Sequence, residues 1–386
     1  MKVLFDFDAF KGKVGGVPRC MVDLIKHFPD YVDYEIPIVV CDNIHFLQSG
    51  IKPEVKPCRI SKDSFITTKS YPGKGRLYSF MENTFPSFPS YVNVNKPLCI
   101  KALKEQSFDI FHCPSTTADT YFLDYLNGKP FVLTVHDMIS ELFFPPNNTQ
   151  TRIKSLLIPK AAHIVTVSQK TKEDLIRIMN VPEEKISVIY HGAPTIVSPV
   201  LKQLYSEPYF LYVGRRDGYK NFRQTLVDFS LFHRDFPDVK FVTTGTPFTR
   251  DELALINDLN INESVENVFA SEIELASLYK YAVALVFPSL YEGFGLPIIE
   301  AFVYECPVLL NDTSCFPEIA EDAGVYFHSR PDEKSSDLYE KMRQLYIMSQ
   351  EERKDLITKV KKRGAFFSWD KSSKELADVY LSVLNR

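Results

Sequence analysis

Glu292 and Glu300 stand eight positions apart around a glycine-rich turn, residues 293–296. Glycines in such a turn let backbone N–H groups approach a ligand closely, and Pro297 favours the start of a helix. The free amides and the positive dipole at a helix start attract phosphate, while the two carboxylates can accept hydrogen bonds from hydroxyl groups. The pattern therefore predicts a site for a phosphorylated, hydroxyl-rich ligand. Without the turn, two spaced glutamates would indicate only a capped strand–helix junction.

Arg215 and Lys220 lie on a second segment, which follows the apolar run 209–213. Two cations at the end of a strand are suited to neutralising a diphosphate that leaves during a reaction. A basic loop by itself usually faces solvent and has no further role. In combination with the phosphate-type turn at 293–296, the pair favours the diphosphate interpretation.

Two weaker features occur in the first half of the chain. His136 and Asp137 follow the apolar run 131–135, so the histidine could bind a sugar hydroxyl, polarise a reacting centre or be purely structural. Gly15 and Gly16 follow the opening strand and would allow a phosphate or sugar to approach the backbone. Because these glycines are not part of a G-x-G-x-x-G motif, a nicotinamide cofactor is not supported.

Metal binding is not expected from the sequence. Asp6 and Asp8 form a D-x-D sequence, but no further ligand accompanies them near the first strand. The eight histidines show no metal-ligand spacing, and the seven cysteines contain no C-x-x-C pair. The cysteines are therefore expected to be reduced thiols, and neither a metal nor a separate cofactor is predicted.

Short apolar runs alternate with polar, helix-type stretches along both halves of the chain. This alternation predicts parallel sheets with helices on both faces, which is an α/β fold. Residues 193–208 lack periodicity and contain three prolines, so they are predicted to link a domain of residues 1–192 to one of residues 209–365. In such folds ligands bind where the carboxyl ends of strands meet.

Composition excludes several classes of protein. A formal net charge of -4 opposes nucleic-acid binding, which usually needs a basic patch. No run approaches the roughly 20 apolar residues that span a bilayer, and the N-terminus does not read as a signal peptide. A cytoplasmic location is expected. Peripheral association with the inner face of the plasma membrane is left open, although no basic amphipathic helix is obvious in the sequence.

With these segments in view, the chain resembles the retaining glycosyltransferases of family 4. That family has the GT-B architecture, in which two Rossmann-like, doubly wound parallel-sheet domains face a central cleft. Its E-x7-E element is similar to Glu292–Glu300 here, and its G-R…K element is similar to Gly214, Arg215 and Lys220. The likeness covers nearly the whole chain. It implies that residues 366–386 form the C-terminal helix that in the family crosses back to the first domain. The chain departs from it at His191, where many members carry asparagine.

The resemblance implies a role for each matching residue. Residues implied in catalysis are His136, Glu292, Arg215 and Lys220. Residues implied in donor binding are Gly15, Gly16, Asp137, Gly293, Phe294, Gly295, Leu296 and Glu300. Members of the family retain the anomeric configuration and need no metal, and their nucleotide sugar is a substrate, so no cofactor is implied.

The function implied is transfer of a hexose to a glycan or lipid-linked acceptor during polysaccharide or lipopolysaccharide biosynthesis. The HDM context at His136 is similar to that of mannosyltransferases, which favours mannose from GDP-mannose. Three alternatives remain: a UDP-sugar-dependent transferase of the same family, a GT-B-shaped nucleotide-sugar epimerase, and a non-catalytic nucleotide-sugar-binding scaffold.

Overall fold

The computed structural model describes residues 1–62, 64–67, 69, 71–115, 119–195, 200–330 and 336–386. The strands in these ranges are β1 (Lys2–Phe5), β2 (Asp33–Glu35), β3 (Val40–Cys41), β4 (Lys56–Pro57), β5 (Ile110–Cys113), β6 (Phe131–Val135), β7 (His163–Thr166), β8 (Ile186–Val188), β9 (Tyr209–Val213), β10 (Lys240–Thr244), β11 (Val265–Val268), β12 (Ala284–Phe287), β13 (Val308–Asn311) and β14 (Gly324–Phe327). The α-helices are α1 (Gly16–Lys26), α2 (Ile44–Gln48), α3 (Lys74–Thr84), α4 (Tyr91–Glu105), α5 (Ile139–Phe143), α6 (Thr149–Leu157), α7 (Gln169–Met179), α8 (Phe222–Asp235), α9 (Arg250–Asp258), α10 (Glu272–Tyr281), α11 (Leu296–Val303), α12 (Phe316–Ala320), α13 (Leu338–Tyr346), α14 (Gln350–Gly364) and α15 (Trp369–Leu384).

The chain forms two compact units, each with its own six-stranded sheet. The first unit comprises Met1–Val167, Thr171–Gly192 and Trp369–Arg386, and the second comprises Ser168–Lys170 and Ala193–Ser368. The segment 193–208 belongs to the second unit, and its residues 196–199 lie outside the described ranges. No helix in the described part of the chain is both long enough and apolar enough to cross a bilayer.

Both large sheets are parallel throughout, with orders β2-β1-β5-β6-β7-β8 and β11-β10-β9-β12-β13-β14. The second order is that of a doubly wound dinucleotide-binding sheet, in which successive strands are added first to one side and then to the other. Ligands bind such sheets where this direction reverses, at the carboxyl ends of the two central strands. That position falls between β1 and β5 in the first unit and between β9 and β12 in the second.

Aromatic side chains fill much of the second unit's core, which accounts for many of the chain's 30 phenylalanines. Phe210, Phe229, Phe232 and Phe241 are fully buried between the sheet and α8. Phe210 and Phe232 meet edge to face with ring centroids 5.4 Å apart. These rings stabilise the packing and are not available to stack on a sugar.

The C-terminal helix α15 packs on the first unit. The Tyr380 hydroxyl bonds His112 Nδ1, and His112 Nε2 lies 2.8 Å from Thr134 Oγ1. Burial of this histidine lowers its pKa to about 3, so it stays neutral. At the other end of the helix, a Cβ on Gly192 would lie 2.4 Å from the backbone nitrogen of Trp369, so only glycine fits there.

Candidate active site

The two loops that flank the reversal point of the second sheet meet each other. One follows β9 and carries residues 214–221, and the other follows β12 and carries residues 288–295. The Leu290 N–H donates to the Tyr219 carbonyl at 2.7 Å and joins the loops. The strand order therefore brings together two sequence motifs that are more than seventy residues apart.

Lys220 and Glu292 form an ion pair between these loops, and both side chains are largely buried. The Ser289 hydroxyl donates to the same carboxylate oxygen at 2.7 Å. Ser314 fixes the backbone of Glu292, accepting from its N–H at 3.0 Å and donating to its carbonyl at 2.7 Å. The result is an ammonium group held in place at the carboxyl ends of β9 and β12.

The glycine-rich turn leads directly into α11. Gly295 adopts a left-handed conformation (φ 86°, ψ 60°), and a Cβ there would lie 2.9 Å from Ile298 Cδ1. The helix begins at Leu296, one residue before the start predicted from Pro297, and no side chain caps it. Phe294 is buried, and its carbonyl accepts from the Cys315 thiol at 3.3 Å. An uncapped helix start beside Lys220 is a suitable place for phosphate oxygens.

Glu300 lies one turn into α11 and is buried. The Tyr279 hydroxyl, from α10, donates to Glu300 Oε2 at 2.8 Å. Tyr279 itself stacks on Tyr304 with an interplanar angle of 10°. This carboxylate is therefore oriented by a neighbouring helix, a contact that nothing in the spacing of the glutamates indicates.

The two adjacent arginines of the β9 loop have different environments. Arg215 is exposed and bonds Asp217 through Nε at 3.0 Å and Nη2 at 2.7 Å. This contact raises the pKa of Arg215 above its usual value. Arg216 is buried, bonds Glu252 at 2.9 Å, and lies over the Phe248 ring. The structure thus leaves Arg215 accessible to a ligand while Arg216 supports the loop, a role the sequence analysis did not recognise.

In the first unit, His136 follows β6 and donates through Nε2 to the Pro114 carbonyl at 2.8 Å. A carbonyl only accepts, so this bond assigns the proton to Nε2 and makes Nδ1 the acceptor in the neutral ring. Burial lowers the pKa of His136, and His191 stacks on it with ring centroids 6.0 Å apart. His136 is therefore suited to accepting a hydrogen bond from a hydroxyl group.

A buried ion pair supports the His136 loop. Lys154 Nζ, on α6, donates to the Asp137 carbonyl at 2.8 Å and to Glu141 Oε2 at 2.7 Å. Both charged side chains are 3% exposed. The Asp137 carboxylate accepts from the Ile139 N–H at 3.0 Å, so it stabilises the turn that follows the histidine.

The glycine loop lies at the exposed start of α1. Gly15 is the N-cap and has an extended backbone, and Gly16 is the first helical residue. The buried side chain of Asn43 donates to the Gly12 carbonyl at 2.9 Å and so fixes the backbone of the loop. The amides of the first helical turn have no partners within the helix, and their contact with a phosphate or sugar stays a prediction.

The D-x-D sequence is engaged in local structure. Asp6 caps the short 3-10 turn Phe7–Phe10 and accepts from the Tyr121 hydroxyl at 2.9 Å. Its Oδ2 atom is buried and unpartnered in the described structure, and burial raises the pKa of the carboxyl to about 7. In the described ranges, no three His, Cys, Asp or Glu side chains lie where they could hold a metal ion.

We expect Asp6→Asn to change how stability depends on pH. An aspartate ordinarily titrates near 3.8 and this one titrates near 7, so the folded state binds the proton more tightly. The stability from that proton is fully present below pH 4 and is lost as the pH rises to about 7. The variant should show a flatter profile from pH 4 to 7 and exceed the wild type in stability at pH 8.

Urea unfolding followed by the fluorescence of Trp369, the single tryptophan, would measure this in the first unit. Asp30→Asn, at an exposed aspartate, is the matched control. Parallel profiles for Asp6→Asn and the wild type would contradict the assigned environment.

Both halves of the chain match family models. Residues 14–195 match Glycosyltransferase Family 4, and residues 200–363 match Glycosyl transferases group 1. Together these matches cover both units of the structure.

Several curated relatives are similar in sequence. O-antigen chain mannosyltransferase B of Escherichia coli is 26% identical over 84% of this chain and 86% of its own length. The O-antigen chain mannosyltransferase RfbU of Salmonella typhimurium is 30% identical, but the match covers 53% of this chain and only 58% of that relative. A Campylobacter jejuni N-acetylgalactosaminyltransferase, whose name specifies a diphospho-undecaprenol acceptor, is 30% identical over 73% of this chain and 70% of its own length.

Solved structures share the fold. Anabaena HepE, crystallised with UDP and glucose, superposes with a TM-score of 0.69 at 17% identity, covering 99% of this chain and 100% of that chain. Its likeness extends across both doubly wound sheets. From the two family models and these relatives, the chain belongs to the glycosyltransferases of family 4, built on the GT-B fold.

Proposed function

We propose that this glycosyltransferase moves a hexose, with mannose from GDP-mannose as the best assignment, onto a glycan or lipid-linked acceptor in surface-polysaccharide synthesis. The observation that carries the proposal is the cluster of Lys220, Glu292 and the uncapped start of α11 at the reversal point of the second sheet. Two relatives named as O-antigen mannosyltransferases support the choice of sugar.

Each group in the second unit then has a part in holding the donor. Lys220 and the amides at the start of α11 would bind the diphosphate, and Arg215 would exchange Asp217 for a phosphate oxygen. Glu300, oriented by Tyr279, would accept hydrogen bonds from the ribose hydroxyls. Glu292 would contact the transferred sugar while it holds the Lys220 ammonium.

The proposed reaction retains the anomeric configuration. The bond from C1 of the sugar to the phosphate oxygen breaks while the acceptor oxygen bonds C1 on the same face. The acceptor's proton passes to the departing phosphate. Lys220 and Arg215 would stabilise the charge on that phosphate, so the reaction needs no metal, and neutral His136 would accept a hydrogen bond from the sugar through Nδ1.

A panel of nucleotide sugars tests the donor. A ligand at 100 times its dissociation constant stabilises a protein by about 2.7 kcal/mol, which a thermal-unfolding assay detects. GDP-mannose should give the largest shift. A UDP-hexose giving the largest shift would instead favour the second candidate, which the UDP-bound HepE neighbour supports. Conversion of the donor into its epimer without transfer would overturn both.

Glu300→Ala is expected to weaken GDP-mannose binding by roughly 10- to 100-fold, because hydrogen bonds to a charged group contribute about 1.5–3 kcal/mol. Titration calorimetry would measure the dissociation constant. Tyr279→Phe removes only the orienting hydroxyl and should have a smaller effect. Equal donor affinity in Glu300→Ala and wild type would remove the ribose assignment.

A further inference from the structure

The segment between β4 and α4 has a small core of its own. Phe65, Tyr78 and Phe88 are buried against one another, with ring centroids 5.5–5.7 Å apart in edge-to-face contacts. Met81 packs against this cluster. Tyr78 and Met81 point toward this cluster, so the side of α3 that carries Arg76 and Phe80, four residues apart, is turned away from it.

Large apolar side chains are exposed on this side of α3, at its edge, and at the residue that follows the helix. Leu77 is 42% exposed, Phe80 58% and Phe85 44%. The rings of Phe80 and Phe85 meet edge to face with centroids 6.4 Å apart, so these two exposed rings are contiguous. Adjacent exposed aromatic and aliphatic side chains commonly mark a surface that binds another protein or a membrane.

Cations border the same face. Residues 59–82 contain five Lys and Arg residues, one Asp and one Glu, in a chain whose net charge is -4, and Lys74 among them is buried. The Lys62 side chain packs against the start of α3, because a Cβ atom added to Gly75 would lie 2.8 Å from Lys62 Cε. Arg76 follows on the first turn, and both cations are exposed. We call Lys62, Arg76, Leu77, Phe80 and Phe85 the α3 surface.

Another basic stretch lacks these properties. At the end of α14, Lys361 pairs with Glu305 at 3.0 Å and Arg363 pairs with Glu321 at 2.9 Å. Acidic neighbours therefore offset that charge. At the α3 surface, by contrast, no described ion pair involves Lys62 or Arg76, and their charge adjoins exposed apolar groups.

We propose that the α3 surface docks on an anionic lipid bilayer. Apolar side chains would enter the headgroup region while the flanking cations bind lipid phosphates, as in helices that lie in the plane of a membrane. This role goes beyond the proposed function, because it involves neither the donor nor the reacting groups. The apolar stripe on α3 is short, and one of its two flanking cations, Lys62, comes from the preceding loop.

Flotation of the full chain with vesicles, without any donor, tests the proposal. The chain should float with vesicles of phosphatidylglycerol and phosphatidylcholine but not with phosphatidylcholine alone, and 0.5 M salt should release it. Each basic side chain near an anionic surface changes binding roughly fivefold, so Lys62→Ser with Arg76→Ser should lower the partition coefficient about 25-fold. Leu77→Asn with Phe80→Asn should lower it at least tenfold.

Matched controls are Phe269→Asn, at a phenylalanine that is 92% exposed in the second unit, and Lys362→Ser, at an exposed lysine of α14. Both should float like the wild type, and circular dichroism should show every variant folded. A wild-type chain that stays in the soluble fraction with both vesicle compositions would overturn the proposal. Flotation of the α3-surface variants equal to that of the wild type would also overturn the proposal. Neither result would bear on donor binding, which is measured separately.

Discussion

Replacing Lys220 with alanine should lower kcat by roughly 10²–10³ while leaving the donor dissociation constant much less affected. The ammonium is held by Glu292, in the loop that leads into α11, where charge on the departing diphosphate would be greatest. Removing one preorganised group that stabilises developing charge typically has this effect on turnover. Without Lys220, the Glu292 carboxylate would also face the phosphate with no cation between them.

Steady-state transfer assays and donor titration would separate the two quantities. Lys280→Ala is the matched control, since this lysine also pairs with a glutamate, Glu305, at 3.1 Å. Lys280 lies near the end of α10, which leads into the amino end of β12, opposite to the candidate site. A Lys220→Ala enzyme with normal kcat and weakened donor binding would reassign the lysine to binding alone.

The second large effect is expected from Lys154→Met, which should destabilise the first unit by about 3–5 kcal/mol. Removing one partner of a buried ion pair leaves the other charge uncompensated. Here that charge is the Glu141 carboxylate, whose Oε1 atom is already buried without a described partner. The loss also removes the hydrogen bond to the Asp137 carbonyl, so the His136 turn should loosen.

Urea unfolding monitored by Trp369 fluorescence would measure the change in the free energy of unfolding. The double variant Lys154→Met with Glu141→Leu should recover most of the lost stability, because both buried charges are then replaced by apolar groups. A double variant no more stable than Lys154→Met alone would show that the lysine acts through the Asp137 carbonyl and not through its ion pair.

The glycine-rich turn and the helix that follows it could be predicted from the sequence, because their residue types favour few other local structures. A glycine with φ of 86°, a proline in the first helical turn and two glutamates leave little choice of local structure around α11. The parallel α/β architecture could also be predicted from the sequence, because alternating apolar and amphipathic runs have few other ways to pack. The contact between Lys220 and Glu292 could not be predicted from the sequence, because it depends on β9 and β12 being neighbours in the sheet.

Side-chain contacts across elements were also beyond the sequence. Ser289, Ser314 and Tyr279 are ordinary residues that gain a role only through the carboxylates they meet. Arg215 and Arg216 are chemically identical neighbours, and only packing decides that one is buried against Phe248 while the other remains accessible. The burial of Asp6 and of Lys154 was not predicted, for the same reason.

The docking of α15 has a consequence for biosynthesis. The helix belongs to the first unit but follows the second unit in the chain, so a nascent first unit lacks the Tyr380 partner of His112 and the cover over Gly192. The second unit is nearly continuous from Ala193 to Ser368 and has emerged in full before α15 leaves the ribosome. On ribosome-arrested chains that end at Ser368 and continue into an unstructured linker long enough to fill the exit tunnel, protease resistance should therefore appear first in the later-made unit. That order is the reverse of the usual one, in which the N-terminal domain matures first during translation.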